Sequence, residues 1–233
     1  MPRLLLKLSG EALGGESGQG IDPAVLGHFC RQIKQAVEAG IELGVVLGGG
    51  NLFRGAALAQ AGMDRVVGDR MGTLATIMNA LALGDFLTRE GIGNQVYAAT
   101  GIPGIAPDYE RDQVLANMHR GQVALLSGGT GNPLFTTDTA ACLRGIELKA
   151  DAVLKATNVD GVYSADPKED PQAQRYATIS FDDVLAKQLG VMDLTAMVLC
   201  RDHQMPVVVF DVGADGALVA ISQGADVGTR ITN

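Results

Sequence analysis

Ile41-Glu42-Leu43-Gly44-Val45-Val46-Leu47-Gly48-Gly49-Gly50-Asn51-Leu52-Phe53-Arg54-Gly55 is the stretch that decides the fold. Ile41 to Leu47 is a short, mostly apolar run and reads as a buried strand. A glycine turn follows at its carboxyl end. Three consecutive residues without Cβ let the backbone take positive φ, turn N–H groups inward and admit an anion closely. Arg54, four residues past Gly50, adds a guanidinium that grips phosphate oxygens in pairs. The plainer alternative is a strand-to-helix turn that only needs small residues. Two better-known templates fail here. A dinucleotide fingerprint needs glycine where Phe53 stands. A P-loop is excluded because Ala56 takes the place of its lysine, although Gly50 and Gly55 have the spacing. A nucleotide-phosphate site built on this turn must draw its lysine from elsewhere.

Outward from the turn, strands and helices alternate. Arg3 to Leu8 is an apolar strand interrupted by Lys7 and ended by Ser9-Gly10, and a glycine-rich polar loop, Gly14 to Gly20, comes next. Asp22-Pro23 starts a helix with a cap and a proline at its first position. Val25, Phe29, Ile33, Ala36 and Val37 continue it to Gly40. A long helical pattern runs from Asp69 to Arg89 through Met71, Leu74, Ile77, Met78, Leu81 and Leu83. Gln95 to Ala99 is a third strand and Asp112 to His119 a further helix. Val123 to Leu126 is a strand entering a second Gly/Thr-rich loop, Ser127 to Asp138, which opens a helix through Cys142 and Ile146. Ala152 to Ala156 is a strand, and the loop from Thr157 to Thr178 carries the turn signals Asp160-Gly161 and Asp166-Pro167. Ser180 with Asp183 caps a short helix, Thr195 to His203 forms another, and Pro206 to Phe210 is the last strong strand. This order implies an α/β fold with a mostly parallel central sheet covered by helices on both faces. Ligands then belong at the carboxyl ends of strands, where glycine-bearing loops leave Leu8, Leu47 and Leu126.

Composition narrows the function. The 233 residues show no linker composition and read as one domain, 1–233. A net charge of -8, from 18 Lys+Arg against 26 Asp+Glu, with no basic run, argues against a nucleic-acid partner. Cys30, Cys142 and Cys200 are widely spaced and read as small buried side chains rather than a disulfide or zinc framework. No stretch reaches the roughly 18 apolar residues of a membrane span, so a cytoplasmic protein without membrane attachment or signal peptide is expected.

Lys7 is the candidate for the missing lysine, because a charge in an apolar strand is costly unless paired or aimed at a site. A lysine that blunts a sheet edge is the alternative. Thr130-Gly131-Asn132-Pro133-Leu134-Phe135-Thr136-Thr137-Asp138 gathers hydroxyls, an amide and backbone N–H groups at a helix N-terminus, which favours polar or anionic ligands. Asp138 either caps that helix or holds Lys7 in position. Asp69 likewise caps a helix or accepts hydrogen bonds from two ribose hydroxyls. His28, His119 and His203 have no matched partners in the sequence and read as packing or surface residues, as do the eight methionines.

Lys7–Leu13 (KLSGEAL), Gly48–Gly55 (GGGNLFRG), Val66–Gly72 (VVGDRMG), Thr130–Gly145 (TGNPLFTTDTAACLRG), Lys155–Pro167 (KATNVDGVYSADP) and Val191–Ala196 (VMDLTA) together resemble the bacterial uridylate (UMP) kinases of the amino-acid-kinase family. The resemblance runs nearly end to end and implies an αβα sandwich, a homohexamer, and γ-phosphoryl transfer from ATP to UMP with Mg²⁺. It puts Lys7, Leu8, Ser9, Gly10, Gly50 and Arg54 at the ATP phosphates, and Thr157, Tyr163 and Asp166 around the ATP base and ribose. Gly49 would lie against UMP and Asp69 on its ribose. Thr130, Gly131, Asn132, Pro133, Leu134, Phe135, Thr136 and Thr137 would wrap the uridine. Lys7, Arg54, Asp138 and Asp193 fall at catalytic positions. The family often has phenylalanine where Tyr163 stands; the same stacking role is expected. GTP activation and UTP inhibition are common in the family, and Gly15, Glu16, Ser17, Gly18, Gln19 and Gly20 fall in the segment tied to the GTP response. The helix from Asp69 to Arg89 is a candidate subunit contact. Rival readings of the fold are a carbamate- or acyl-phosphate-forming kinase and a non-enzymatic nucleotide- or oxyanion-binding storage protein.

Overall fold

Side chains alternate across a strand, and β1 (Arg3–Leu8) uses this to serve two layers. Leu4, Leu6 and Leu8 join one core cluster, while Leu5 joins another on the opposite face with Lys7 on its side. The computed structural model describes residues 1–53, 62–167, 169–170 and 172–233. Within them β1, β2 (Glu42–Leu47), β3 (Asn94–Ala98), β4 (Val123–Ser127), β5 (Ala152–Thr157), β6 (Thr178–Ser180), β7 (Val207–Asp211) and β8 (Thr229–Thr232) form one sheet. Its order is β3-β4-β2-β1-β5-β7-β8-β6. Among the described residues each named strand pairing is parallel except β7 with β8. β1 is therefore central, which rules out the edge-strand reading of Lys7.

The helices are α1 (Gly10–Leu13), α2 (Pro23–Glu38), α3 (Arg65–Arg89), α4 (Arg111–His119), α5 (Thr137–Glu147), α6 (Phe181–Ala186), α7 (Leu194–Asp202) and α8 (Ala217–Ser222). Phe29 and Ile33 of α2, Leu83 and Leu87 of α3 and Leu218 of α8 pack on the Leu4/Leu6 face. Val114 of α4, Cys142 of α5, Phe181 of α6 and Cys200 of α7 pack on the Leu5 face. The result is the expected αβα sandwich. Cys30, Cys142 and Cys200 are free thiols in its core. Burial pushes the Cys30 thiol up to about 11, away from thiolate chemistry. By length and composition α3 could cross a membrane, yet its Ala80, Leu83 and Leu87 are fully buried in the core against the sheet.

Two capping expectations change. Asp64, not Asp69, caps α3 by accepting from Val67 N at 3.0 Å, so the helix starts a turn earlier and Asp69 lies inside it. Thr136, not Asp138, caps α5, with its Oγ1 accepting from Asp138 N and Thr139 N. Both aspartates are thereby released for longer-range contacts. Asp22 and Ser180 cap as expected. The short elements α1, β6, α8 and β8 were not anticipated, because three to six residues carry too little periodicity to register.

Candidate active site

Parallel register aligns Lys7 of β1 with Lys155 of β5, next to each other near the carboxyl ends of two central strands. Helix α5 crosses above them and lowers Asp138 between the two ammonium groups. Asp138 Oδ1 is 2.7 Å from Lys7 Nζ and Oδ2 is 2.7 Å from Lys155 Nζ. All three side chains are largely buried, at 9%, 13% and 16% exposure for Lys7, Asp138 and Lys155. Burial alone would push the Asp138 carboxyl up, but Lys7 and Lys155 outweigh it and hold the group below the usual carboxylate range. Lys155 also donates to Val191 O, which fixes its direction. Lys155 opens the motif Lys155–Pro167 but has no role among the residues expected from the sequence. The signal that singled out Lys7, a lysine in an apolar strand, was equally present in Ala152-Val153-Leu154-Lys155-Ala156-Thr157.

Two clefts are lined by residues that neighbour this triad. One is lined by Gly49, Gly50, Asp69, Thr130, Asn132, Phe135 and Thr137, together with Gly128 and Gly129. The other is lined by Thr157, Val159, Tyr163, Asp166, Leu189 and Val191 among others. Chain connectivity links both to the triad: Asp138 follows Thr137 of the first cleft, and Lys155 precedes Thr157 of the second by two residues. The first cleft is polar and gathers hydroxyls and small residues, whereas the second offers an apolar floor beside a phenol and a carboxylate. Tyr163 donates to Asp160 Oδ1 at 2.7 Å, and this hydrogen bond holds its phenol above the ordinary range.

The glycine turn works differently from expectation. Gly48, Gly49 and Gly50 are absent from the residues with positive φ. Gly48 N donates to Leu8 O at 2.8 Å and extends the β1–β2 pairing, so it does not face an anion. What Gly48 and Gly49 require is closeness: a Cβ on Gly48 would stand 2.6 Å from Gly10 N, and one on Gly49 2.8 Å from Gly72 O, whereas Gly50 has room. The loop after β4 instead carries the left-handed backbone, at Gly128, Gly129, Gly131 and, unusually for a side-chain-bearing residue, Leu134 with φ 72°.

Asp69 reaches this second loop. Its Oδ2 accepts from Leu134 N and its Oδ1 from Arg65 Nε, both at 2.8 Å. The other expected residues divide. Gly131, Pro133, Leu134 and Thr136 shape the loop without lining the first cleft. Ser9 caps α1, its Oγ accepting from Ala12 N at 3.2 Å. Asp193 caps α7 and accepts from Thr139 Oγ1 at 2.9 Å and from Thr136 Oγ1, so it ties the N-termini of α5 and α7 together rather than meeting Lys7. Gly15 to Gly20 form a 3₁₀ turn, Gly15–Ser17, followed by a bend with left-handed Gly18 and Gly20, and the Gly20 N–H donates to Asn51 O at 3.0 Å. Arg54, with Gly55, lies outside the described residues.

Buried lysines near the ends of two central strands, with an aspartate between them and two clefts lined by their chain neighbours, suit phosphoryl transfer, which rests on positioning and electrostatics. The chain belongs to the amino acid kinase family, whose model matches residues 2–211. It is 57% identical over 229 residues to the uridylate kinase of Saccharophagus degradans, covering 98% of this chain and 93% of that one. With the uridylate kinase of Aliivibrio fischeri it shares 54% identity over 231 residues, 99% and 95% of the two chains. The crystal structure of UMP kinase from Bacillus anthracis superposes with a TM-score of 0.96 at 37% identity, covering 100% of this chain and 97% of that one. UMP kinase from Ureaplasma parvum gives 0.93 at 32% identity, with 100% and 99% covered.

Proposed function

We propose that this chain is an ATP-dependent UMP kinase that transfers the γ-phosphoryl of ATP to UMP, giving UDP and ADP for pyrimidine nucleotide synthesis. The observation that carries the reading is the buried Lys7–Asp138–Lys155 triad, whose chain neighbours Thr137 and Thr157 line a polar cleft and a more apolar one. Two ammonium groups around one carboxylate leave a net positive charge where charge develops on the transferring phosphoryl. The UMP phosphate is already largely ionised near neutral pH, so no side chain need remove its proton. Catalysis is then positioning and electrostatics. Lys7 and Lys155 neutralise the phosphoryl oxygens and Asp138 keeps their directions fixed. UMP takes the first cleft, with its ribose on Asp69 and its phosphate by Gly49 and Gly50. ATP takes the second, with its base and ribose by Thr157, Tyr163 and Asp166 and its phosphates running toward Ser9, Gly10 and Gly50. Arg54 restrains the two anions.

Mg²⁺ fits as a companion of the nucleotide. Among the described residues no group of three His, Cys, Asp or Glu side chains could cage it, and Asp138 is engaged by two lysines. Coordinated to the ATP phosphates, it would supply charge neutralisation there.

Assembly is proposed as a homohexamer with α3 in a subunit contact. Val67, Met71, Leu74, Met78 and Leu81 are 47%, 39%, 52%, 56% and 40% exposed, and their alternating spacing of four and three residues draws one apolar stripe along the helix. Leu74→Glu should lower the mass seen by light scattering. A cytoplasmic location follows from the substrates. GTP and UTP are proposed effectors, to be tested by titrating activity.

The deciding experiment is ADP release with MgATP across UMP, CMP, dCMP, AMP, carbamate and acyl acceptors. UMP should dominate, and turnover on carbamate or an acyl group alone would overturn the assignment. Lys7→Ala and Lys155→Ala should each lower kcat about a hundredfold or more; near-normal kcat in both would remove the triad from catalysis.

A further inference from the structure

Asn51 closes the glycine turn, and the turn's other residues do not explain its burial. Asn51 is 5% exposed and Asn79, in the middle of α3, is 0% exposed. Their carboxamides form a closed reciprocal pair: Asn79 Nδ2 donates to Asn51 Oδ1 at 2.7 Å and Asn51 Nδ2 to Asn79 Oδ1 at 3.1 Å. Each amide has one further N–H. Asn79 Nδ2 gives its own to Gly48 O at 2.7 Å, and Asn51 Nδ2 gives its own to Gly20 O at 2.6 Å. Gly20 N returns a bond to Asn51 O at 3.0 Å. Reversing either amide would set carbonyl oxygen against carbonyl oxygen, so the two outer bonds fix both orientations.

We propose that Asn51 and Asn79 are positioning residues for phosphoryl transfer: the pair sets the Gly48–Gly50 backbone beside the substrates and couples it to the segment Gly15–Gly20. This rests on the kinase reading above. The amides do not line the first cleft; they act through Gly48 O, one and two residues before Gly49 and Gly50, which do line it. Glycine supplies no side chain to hold such a turn, so its placement depends on what grips its backbone: Leu8 O takes the Gly48 N–H and the Asn79 amide takes Gly48 O. A buried amide pair is suited to that task, because every broken bond strands a polar group away from water. The same Asn51 amide is the grip on Gly20, so movement of Gly15–Gly20 by a bound effector, or by any other cause, must either pull on Asn51 or break that bond. The segment and the phosphate turn therefore share a joint at one residue, Asn51, through its amide and its backbone carbonyl.

The test uses the full chain with Asn51→Ala, Asn79→Ala, the double variant, and Asn79→Asp. The last keeps the side chain's size and an acceptor for Asn51 but has no donor for Gly48 O, and it guards against an alanine variant that fails to fold. Each single variant should lose about tenfold to a hundredfold in kcat, while the KM for ATP stays within about threefold. The double variant should be no worse than the worse single one, because the two residues act as one unit. Additive losses, or near-normal kcat in a folded Asn79→Asp, would overturn the proposal. So would a kcat loss that tracks the fall in Tm and recovers on cooling, which a merely structural role predicts. Hydrogen exchange reads the coupling without any turnover. Asn79 has no bond to Gly15–Gly20 of its own, so faster exchange of Gly20 N–H in Asn79→Asp supports the joint, and unchanged exchange there overturns it. If the unsubstituted chain turned over no UMP, the kinase reading would fail by itself while the exchange result would still judge the joint.

Discussion

The chain has two glycine-rich loops at the carboxyl ends of neighbouring strands, Gly48–Gly50 after β2 and Gly128–Gly131 after β4, and Gly48 and Gly49 in the first use glycine for the opposite reason to Gly129 in the second. In the first, φ is ordinary and the space is missing at two positions, Gly48 against Gly10 and Gly49 against α3, while Gly50 has room for a Cβ. In the second, Gly129 has a φ of 60° with no atom within 4 Å of where a Cβ would stand, so the space is present and the backbone is unusual. Composition cannot tell these apart, since both read as turns of small residues. Their functions differ accordingly. The first loop brings backbone close to backbone and is held by the Asn51–Asn79 amides, while the second curls around an open cleft and is latched to α3 through Asp69.

Asp138→Asn should do most damage, because it cuts the ion triad that ties α5, at the end of the second loop, to β1 and β5. Removing one partner from a buried ion network costs about 3 kcal/mol, readable by urea unfolding at neutral pH. The pH dependence sharpens this. With its folded pKa depressed, Asp138 contributes stability that is present above its unfolded value, about 3.9, and is lost as pH falls through the folded value. The variant should lack that acid-side component, and identical acid profiles would place the stabilisation elsewhere. Gly48→Ala comes next, at about 2 kcal/mol, because the clash is with backbone, which cannot rotate away. Gly129→Ala should cost about 1 kcal/mol, from φ alone. Equal costs at Gly48 and Gly129 would break the distinction between the loops. Smallest is Leu134→Gly. Relief of its left-handed backbone offsets the added freedom of the unfolded chain, so stability should change by no more than about 0.5 kcal/mol. The backbone N–H that Asp69 accepts is kept in this variant, so any change in UMP affinity reports the Leu134 side chain alone and not the latch.

Legibility in the sequence followed the range of the interactions. The alternation of strands and helices, the Asp22 and Ser180 caps and the carboxyl-end placement of the loops rest on neighbours within a few residues and were read correctly. Asp69 and Asp138 were both read as a cap or a site residue, and the structure decides against the cap because Asp64 and Thr136 take that task. Asp193, expected near the phosphoryl, caps α7 and holds Thr136 and Thr139, a pairing 54 residues apart for Thr139 that no local pattern announces. Lys155 was missed although its strand carried the same signal as β1, because one lysine was enough to complete the expected site.

By itself, then, the sequence determined an α/β sandwich and a family of phosphoryl-transfer chemistry: local periodicity, caps and ordered motifs contain that much. Only the tertiary structure decided that Lys7 and Lys155 share one carboxylate, that Gly48 and Gly49 serve close packing rather than positive φ, and that two asparagines hold the turn. Each depends on the register of parallel strands and on a helix crossing above them or packed beside the turn. Such placements are set by how whole layers pack, and the residues they join lie tens to more than a hundred positions apart.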